Sequence, residues 1–384
     1  MRYTPALQSV TESPLVRIGV LAESIPGSIN LCYGESDMPT PEFITRAAYD
    51  AARAGHTFYT NTAGYAELRE AIAHKIRELH GVDYRPSEIL VTVGASMGIY
   101  AAVRALVGPG DNAIVIEPTY SIFGNDVALS GGAPRRVPLA RDDNAFALDL
   151  DAVRAAIDSH TRMLIVNSPS NPTGWIATPD EQRALYELAL EHDFVLLADE
   201  VYDRLAFDTP IARSFAEVAD DKEHIVVVNS FSKTYNMTGW RLGWVQASER
   251  LIKLMTSAVE FMTSNATAMV QQAGIVALRD GESYVAELRD HYSARRAQVM
   301  SVLTVIPGLS TPEPRGAFFA FPRVDGLTDS AEFAMDLLRE TGVAVAPGTA
   351  FGLTGEGHIR ICFASSEAKL ADGLGRISEY FRSR

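Results

Sequence analysis

The sequence contains few cysteines. Only Cys32 and Cys362 occur among its 384 residues, and they lie far apart along the chain. Their separation matches no metal-ligand spacing, so the sequence predicts neither a metal site nor a disulfide framework. Reduced thiols are typical of the cytoplasm, which is the location that we expect.

The sequence also lacks an excess of positive charge. It has 34 lysines and arginines against 48 aspartates and glutamates, and its formal net charge is -14 at pH 7. Because nucleic-acid backbones bind basic surfaces, this balance argues against a nucleic-acid partner. It argues equally against a cofactor-binding sensor fused to a DNA-binding module.

Long apolar runs are missing as well. No uncharged apolar stretch reaches membrane-spanning length, and charged residues such as Arg17 and Glu23 interrupt the apolar positions near the N-terminus. The sequence therefore predicts no membrane partner and no signal peptide. No Gly-x-Gly-x-x-Gly motif opens the first strand–helix unit, which argues against a dehydrogenase.

From residue 89 onward, short apolar strands alternate with longer helical stretches. This alternation predicts an α/β fold whose large domain has a mostly parallel central sheet flanked by helices. A single long helical region is expected over residues 251–278. The expected strands cover residues 89–93, 113–116, 163–166, 194–197, 225–228 and 242–245.

The pattern changes after about residue 310, where the strands and helices alternate over a smaller unit. We expect a smaller α+β domain there, built from the N-terminal segment and the C-terminal part of the chain. The predicted division is an N-terminal arm with part of the small domain (1–40), a large cofactor-binding domain (41–283) and a small C-terminal domain (284–384).

Lys233 is the first candidate for chemistry. It follows the buried-strand pattern of residues 225–228 within a tract of hydroxyls and small residues, and Arg241 comes eight positions later. A lysine that is desolvated beside another cation has a lowered pKa and becomes a nucleophile. We interpret Lys233 as the residue that forms a Schiff base with pyridoxal 5'-phosphate. Taken alone, Lys233 is also compatible with a structural salt bridge.

Asp199, Tyr202 and Asn171 also follow predicted strands. An aspartate opposite a pyridine nitrogen keeps that nitrogen protonated, which makes the ring an electron sink; a helix cap or a buried salt bridge is the alternative for Asp199. Tyr202 has a hydroxyl suited to a phenolic oxygen. Asn171 lies in a turn with two prolines (167–174) that is stiff enough to hold its amide towards an oxygen, although many such turns are only structural.

Four positions suit a phosphate group. Ala95 and Ser96 begin a helical stretch after a strand, and the first amides of a helix bind anions, although small residues there often form only a turn. Ser230 and Arg241 flank Lys233. Arginine binds phosphate through two parallel hydrogen bonds, and a surface ion pair is the alternative for Arg241.

Tyr120 and Arg360 are candidates for contact with a ring and with a substrate. Tyr120 follows a strand and suits stacking on a flat ring, or simple packing. Arg360 is a charged residue among apolar neighbours, in the segment His-Ile-Arg-Ile-Cys-Phe-Ala. Such a residue needs an anionic partner, either a substrate carboxylate or a structural aspartate.

Taken together, these residues resemble the class I/II aminotransferases, which are fold type I pyridoxal-phosphate enzymes related to aspartate aminotransferase. The most specific motifs are Ser-x-Ser-Lys (230–233) and Gly-x-Arg-x-Gly (239–243), followed by Asn-Pro-Thr-Gly (171–174) and Asp-Glu-Val-Tyr (199–202). The roles that the resemblance implies are Schiff-base lysine and proton shuttle for Lys233, pyridinium partner for Asp199, partners of the phenolic oxygen for Tyr202 and Asn171, ring stacking for Tyr120, phosphate binding for Ala95, Ser96, Ser230 and Arg241, and binding of the substrate α-carboxylate for Arg360.

The resemblance implies two further positions and shows two departures. Tyr59 is similar to the family tyrosine that reaches the phosphate of the neighbouring subunit, which implies a homodimer. Gly34 is similar to a glycine whose backbone lies near the substrate carboxylate. Ser36 stands where the family often has proline, and Tyr33 stands where smaller residues are common. We therefore expect Tyr33 to narrow the side-chain pocket.

The implied activity is that of an aminotransferase of amino-acid metabolism with a biosynthetic role. It would move the α-amino group of an L-amino acid to a 2-oxo acid by a ping-pong mechanism through the Lys233 Schiff base. A β-lyase, decarboxylase or oxidase on the same fold shares the cofactor residues and stays open as an alternative. The amino donor and the oxo-acid acceptor stay open as well.

Overall fold

The computed structural model describes residues 5–8, 10, 13–141 and 145–384. Its central element is a seven-stranded sheet. In spatial order, its strands are Ile89–Thr92, Gly243–Gln246, Ile225–Ser230, Val195–Asp199, Thr161–Asn167, Asn112–Glu117 and Ala133–Pro138. Every adjacent pair is parallel except the two pairs that involve Gly243–Gln246. The predicted mostly parallel sheet is therefore confirmed.

The strands are apolar because the sheet is covered on both faces. Along Ile225–Ser230, all six residues are buried. Ile225 and Val227 pack into one apolar cluster, and Val226 and Val228 pack into a second cluster on the opposite face. A sheet that is buried on both faces requires near-continuous apolar strands, so polar side chains are left to the strand ends.

Helices flank this sheet and complete the smaller part of the molecule. None of the described helices is both long and apolar enough to cross a membrane. The helices are Pro5–Gln8, Pro14–Ser24, Glu42–Arg53, Ala66–His80, Gly94–Leu106, Ile122–Leu129, Leu150–Ala156, Pro179–His192, Phe231–Thr234, Glu249–Thr263, Ala268–Asp280, Glu282–Leu303, Ser330–Thr341 and Glu367–Arg382.

Two features of the large sheet and its helices differ from the sequence expectation. The single helical region expected over residues 251–278 is wrong, because Glu249–Thr263 and Ala268–Asp280 are separate helices. Ser264 has φ +62 at the break, a conformation that ends a right-handed helix. The edge strand Ala133–Pro138 was not expected, since exposed and half-buried residues interrupt its apolar pattern.

Short strands of the N-terminal segment and the C-terminal part pair with each other. Ile29–Asn30 runs parallel to Val343–Ala344. A three-stranded sheet places Ile359–Cys362 between Phe319–Ala320 and Ala346–Pro347. The α/β fold class with a smaller, mixed unit is therefore confirmed, and Ile359–Cys362 carries Arg360 towards the large sheet.

Candidate active site

A cavity of about 410 Å³ opens at the carboxyl ends of the central strands. It receives side chains from the large sheet, from the strand Ile359–Cys362 and from the N-terminal helix Pro14–Ser24. Every site residue predicted from the sequence except Tyr59 lines this cavity. These lining residues are Gly34, Ala95, Ser96, Tyr120, Asn171, Asp199, Tyr202, Ser230, Lys233, Arg241 and Arg360.

Lys233 enters the cavity from the short helix Phe231–Thr234. Ser230 caps this helix by accepting a hydrogen bond from the Ser232 amide at 3.1 Å. The Lys233 amine donates a hydrogen bond to the Gly34 carbonyl oxygen at 2.7 Å. Burial lowers the pKa of Lys233 to about 8, so about a tenth of the amine is uncharged at pH 7.

Asp199 ends the strand Val195–Asp199 and is buried. Its carboxylate accepts a hydrogen bond from the Val201 amide at 3.1 Å. Burial raises the pKa of Asp199 to about 7, against the opposing effects of that amide and of the charge on Lys233. Burial alone disfavours the charged form of this carboxyl group. A cation beside it would stabilise the carboxylate, so the position suits a positively charged partner.

Tyr202 lies three residues beyond Asp199 and is buried. Its ring packs edge-on against Phe318 and Phe319, with ring centres 5.4 and 5.8 Å away. Burial raises the pKa of Tyr202 well above its ordinary value. The phenol is therefore protonated at neutral pH and keeps a hydrogen to donate.

Arg360 is 1% exposed and is the largest fully buried side chain of the described residues. Its guanidinium carbon lies 4.4 Å from the Phe319 ring centre and 4.6 Å from the Phe351 ring centre. Its two terminal nitrogens donate to Asn171 Oδ1, at 2.8 Å, and to the Cys32 carbonyl oxygen. Both acceptors are neutral, and no ion pair forms between Arg360 and a described carboxylate. The buried charge is therefore suited to an anion in the cavity.

A set of donors converges at the other end of the cavity. Ala95 and Ser96 lie in the first turn of the helix Gly94–Leu106, where backbone amides have no partner within the helix. Arg241 lies directly against this turn, since a Cβ on Gly94 would be 2.4 Å from its Nη2 atom. Ser230 adds a hydroxyl. Amides at a helix start, a hydroxyl and a guanidinium together suit a phosphate group.

The two remaining predicted tyrosines differ in position. Tyr120 borders the cavity and is 43% exposed. Tyr59 is 88% exposed and does not line the cavity. Within a single chain, the structure therefore does not bring Tyr59 to the other site residues.

Sequence reasoning missed Asn167, Phe319 and Phe351. Asn167 donates to the Asp199 carbonyl oxygen at 3.0 Å and accepts from the Asn171 amide at 2.7 Å, so it ties two neighbouring strand ends together. Its position at the end of a predicted strand could have identified Asn167 from the sequence. The two phenylalanines follow ordinary core patterns, and no sequence feature distinguishes them from other buried aromatic residues.

The donor set fits pyridoxal 5'-phosphate. Arg241, Ser230 and the first amides of the helix suit its phosphate, and the Asp199 carboxyl suits its ring nitrogen. The Lys233 amine suits its aldehyde, and Arg360 keeps a charge for a substrate carboxylate. Among the described residues, no group of three or more His, Cys, Asp or Glu side chains is arranged to hold a metal ion.

Comparisons with known proteins agree with this geometry. The sequence model of the family "Aminotransferase class I and II" matches residues 26–377. A Pyrococcus horikoshii protein named aspartate aminotransferase is 37% identical over 361 residues, covering 93% of this chain and 92% of that protein. A Thermococcus litoralis protein named aromatic-amino-acid aminotransferase 2 is 36% identical over 391 residues, covering 100% and 99%. The structure of Thermus thermophilus aspartate aminotransferase with maleate has a TM-score of 0.93 and 35% identity, covering 99% of this chain and 100% of that one.

Proposed function

This chain belongs to the class I and II aminotransferases. From that membership we propose a role in transamination for each of its candidate site residues. The enzyme depends on pyridoxal phosphate and moves an amino group between an amino acid and a 2-oxo acid. Its relatives are named for aspartate and for aromatic amino acids. The names therefore leave the choice of substrate open.

Lys233 holds the cofactor and moves the proton at the substrate α-carbon. When bound, pyridoxal phosphate supplies an aldehyde that condenses with amines and a ring that withdraws electrons from the amine-bearing carbon. The Lys233 amine has a pKa of about 8, so it can accept and return a proton near neutral pH. The amine is positioned by the Gly34 carbonyl oxygen at 2.7 Å.

The remaining polar residues orient the cofactor. Asp199 holds a proton at the ring nitrogen through its negative charge, while Tyr202 and Asn171 donate to the ring oxygen. Asn171 has its side-chain oxygen engaged by Arg360, which leaves its amide N–H groups for this task. Tyr120, which borders the cavity, would stack on the cofactor ring. The Ala95 and Ser96 amides, together with Ser230 and Arg241, hold the phosphate.

Arg360 binds the substrate α-carboxylate beside the backbone of Gly34. The observation that carries the proposal is the buried Arg360 charge, which is held by two neutral acceptors on the same cavity as the Lys233 amine. A fixed cation and a fixed amine orient the α-carbon between them, which favours proton transfer at that atom.

We also propose that the enzyme is a homodimer in which Tyr59 reaches the partner's phosphate site. The exposure of Phe58 (81%) and Tyr59 (88%) supports this assembly, because adjacent exposed aromatic residues often mark an interface. A cytoplasmic location and a role in amino-acid biosynthesis belong to the same proposal. The two free and buried cysteines, Cys32 and Cys362, are consistent with a reducing compartment.

An assay of oxo-acid-dependent amino-acid formation tests the function. Wild-type enzyme with cofactor, an amino donor and a 2-oxo acid should form a new amino acid, and Lys233→Ala should lose at least about a hundredfold in kcat. The matched control is Lys253→Ala, since Lys253 is exposed and lies outside the cavity. Turnover by Lys233→Ala at the wild-type rate would contradict the proposed role. Release of ammonia or pyruvate without an acceptor would instead indicate a lyase.

A further inference from the structure

We propose that Tyr33, which is seated against Gly19 of the N-terminal helix, forms the wall of the side-chain pocket and selects amino acids with an uncharged apolar or aromatic side chain over dicarboxylic amino acids. This inference rests on the proposed function, because it takes the α-carboxylate to be bound by Arg360 and the amino group to react near Lys233.

Tyr33 lies between the two backbone groups that hold these cations. The carbonyl oxygen of Cys32 accepts from Arg360, and the carbonyl oxygen of Gly34 accepts from Lys233 at 2.7 Å. A substrate held by Arg360 and Lys233 therefore has its α-carbon next to the segment 32–34. Tyr33 also lines the cavity, so its ring is placed to contact the substrate side chain.

The position of the Tyr33 ring depends on the absence of a side chain at residue 19. A Cβ on Gly19 would lie 2.0 Å from the Tyr33 hydroxyl oxygen and 2.2 Å from its Cζ atom. The end of the tyrosine ring thus fills the space that a side chain of the helix Pro14–Ser24 would take. Glycine is disfavoured within helices, so its use here is consistent with a requirement for this space.

The same helix supplies the rest of the wall. Leu15 and Val16 line the cavity beside Tyr33, and Leu15 precedes Gly19 by one helical turn. The Cys32 thiol donates to the Leu15 carbonyl oxygen at 3.7 Å, which connects the helix to the segment 32–34. A substrate side chain on this side therefore meets two aliphatic residues and an aromatic ring, surfaces that favour apolar groups.

The charges of the cavity lead to the same substrate class. Among the described residues that line it, the cations are Lys233, Arg241 and Arg360, and Asp199 is the only acid. The proposed function commits these four to the amino group, the phosphate, the α-carboxylate and the ring nitrogen. Within its own chain, a second carboxylate on the substrate would therefore find no uncommitted cation and would lie against the apolar wall, which is unfavourable.

Glu23 adds to this effect. It lies on the N-terminal helix four residues beyond Gly19, and together with burial its negative charge raises the pKa of Tyr33. The Glu23 carboxylate on this side of the wall repels a second substrate carboxylate.

The test uses the donor half-reaction of the holoenzyme, measured by stopped-flow absorbance of the cofactor without an oxo acid. Omitting the acceptor avoids the second carboxylate of an acceptor such as 2-oxoglutarate. We expect phenylalanine and leucine to react about tenfold or more faster, as a second-order rate constant, than aspartate and glutamate. If aspartate or glutamate reacts as fast as phenylalanine, the inference is wrong while the proposed function stands. If no amino acid reacts, the proposed function itself fails.

Two variants test the role of the wall. Gly19→Ala should displace the Tyr33 ring, and Tyr33→Ala should remove it, so each should lower the ratio of phenylalanine to alanine rate constants by about tenfold. Gly375→Ala is the matched control, because a Cβ on that helical glycine has nothing within 4 Å. Tyr33→Ala keeps the test valid if Gly19→Ala fails to fold. An unchanged ratio in Tyr33→Ala would overturn the assignment.

Discussion

At the scale of single residues, the protonation of Asp199 depends on the cation beside it. The pKa of Asp199 is about 7 in the folded chain without cofactor, against 3.8 for an ordinary aspartate, and burial is the main cause. The folded state therefore binds more protons than the unfolded state between these two pH values. The contribution of this carboxyl group to stability consequently falls as the pH rises through that window.

Asp199→Asn should remove the free-energy cost of burying the Asp199 negative charge. In cofactor-free protein, the variant should gain unfolding free energy relative to wild type, because the amide has no charge to bury. The gain should grow by roughly 3 kcal/mol between pH 5 and pH 8. Urea unfolding at the two pH values measures this change. With cofactor bound, the same variant should lose about a hundredfold or more in kcat. A gain that does not vary with pH would show that Asp199 is not the titrating group.

The sequence identified the charged candidate residues through their position relative to buried-strand patterns and through the motifs that contain them. Lys233 follows a buried strand and Arg360 lies within one, and both side chains line the same cavity. The two rings that enclose Arg360, those of Phe319 and Phe351, were missed. Their role comes from tertiary contact, and a buried phenylalanine has the same sequence pattern whether it packs on a leucine or on a guanidinium group.

At the scale of elements, the start of the helix Gly94–Leu106 depends on a close contact that only glycine permits. Gly94 has φ +75, and a Cβ there would lie 2.4 Å from Arg241 Nη2. Gly94→Ala should therefore combine backbone strain with displacement of Arg241. We expect a loss of about 1–2 kcal/mol in unfolding free energy and about tenfold weaker cofactor binding.

Gly110→Ala separates these two effects. Gly110 has φ +93, and a Cβ there has nothing within 4 Å, so its substitution should bring the strain without the clash. Thermal unfolding should show a loss in both variants, whereas cofactor titration should show weaker binding only in Gly94→Ala. Equal cofactor affinity in the two variants would mean that Arg241 does not hold the phosphate.

The elements that the sequence did not predict share a physical cause. Ser264 interrupts an apolar periodic stretch through its backbone conformation alone, and serine has no strong signal for that state. The edge strand Ala133–Pro138 is covered less than the central strands, so its composition is mixed. Both depend on neighbouring elements, whereas the central strands follow from burial on both faces.

At the scale of the whole molecule, the dimer proposal assigns Tyr59 to the site of the neighbouring subunit. Co-expression of Tyr59→Ala and Lys233→Ala chains tests it. A mixed dimer would contain one site with an intact Lys233 and an intact Tyr59 from the partner, so the mixture should recover activity above that of either variant alone. If the co-expressed pair is no more active than the Tyr59→Ala enzyme diluted equally, Tyr59 acts within its own chain or not at all.

The domain division at residues 40 and 283 stays a prediction. The pairing of Ile29–Asn30 with Val343–Ala344 supports a small unit that includes both ends of the chain. Two ends so distant in sequence cannot be assigned to one sheet from periodicity, which reports only local structure.

The proposed mechanism depends most on which lysine holds the cofactor. The chain has five lysines, at positions 75, 222, 233, 253 and 369. Borohydride reduction of the holoenzyme followed by peptide mass spectrometry should place the reduced cofactor on Lys233 and on no other lysine. A cofactor adduct on any of the other four, or none after reduction of active enzyme, would contradict the account.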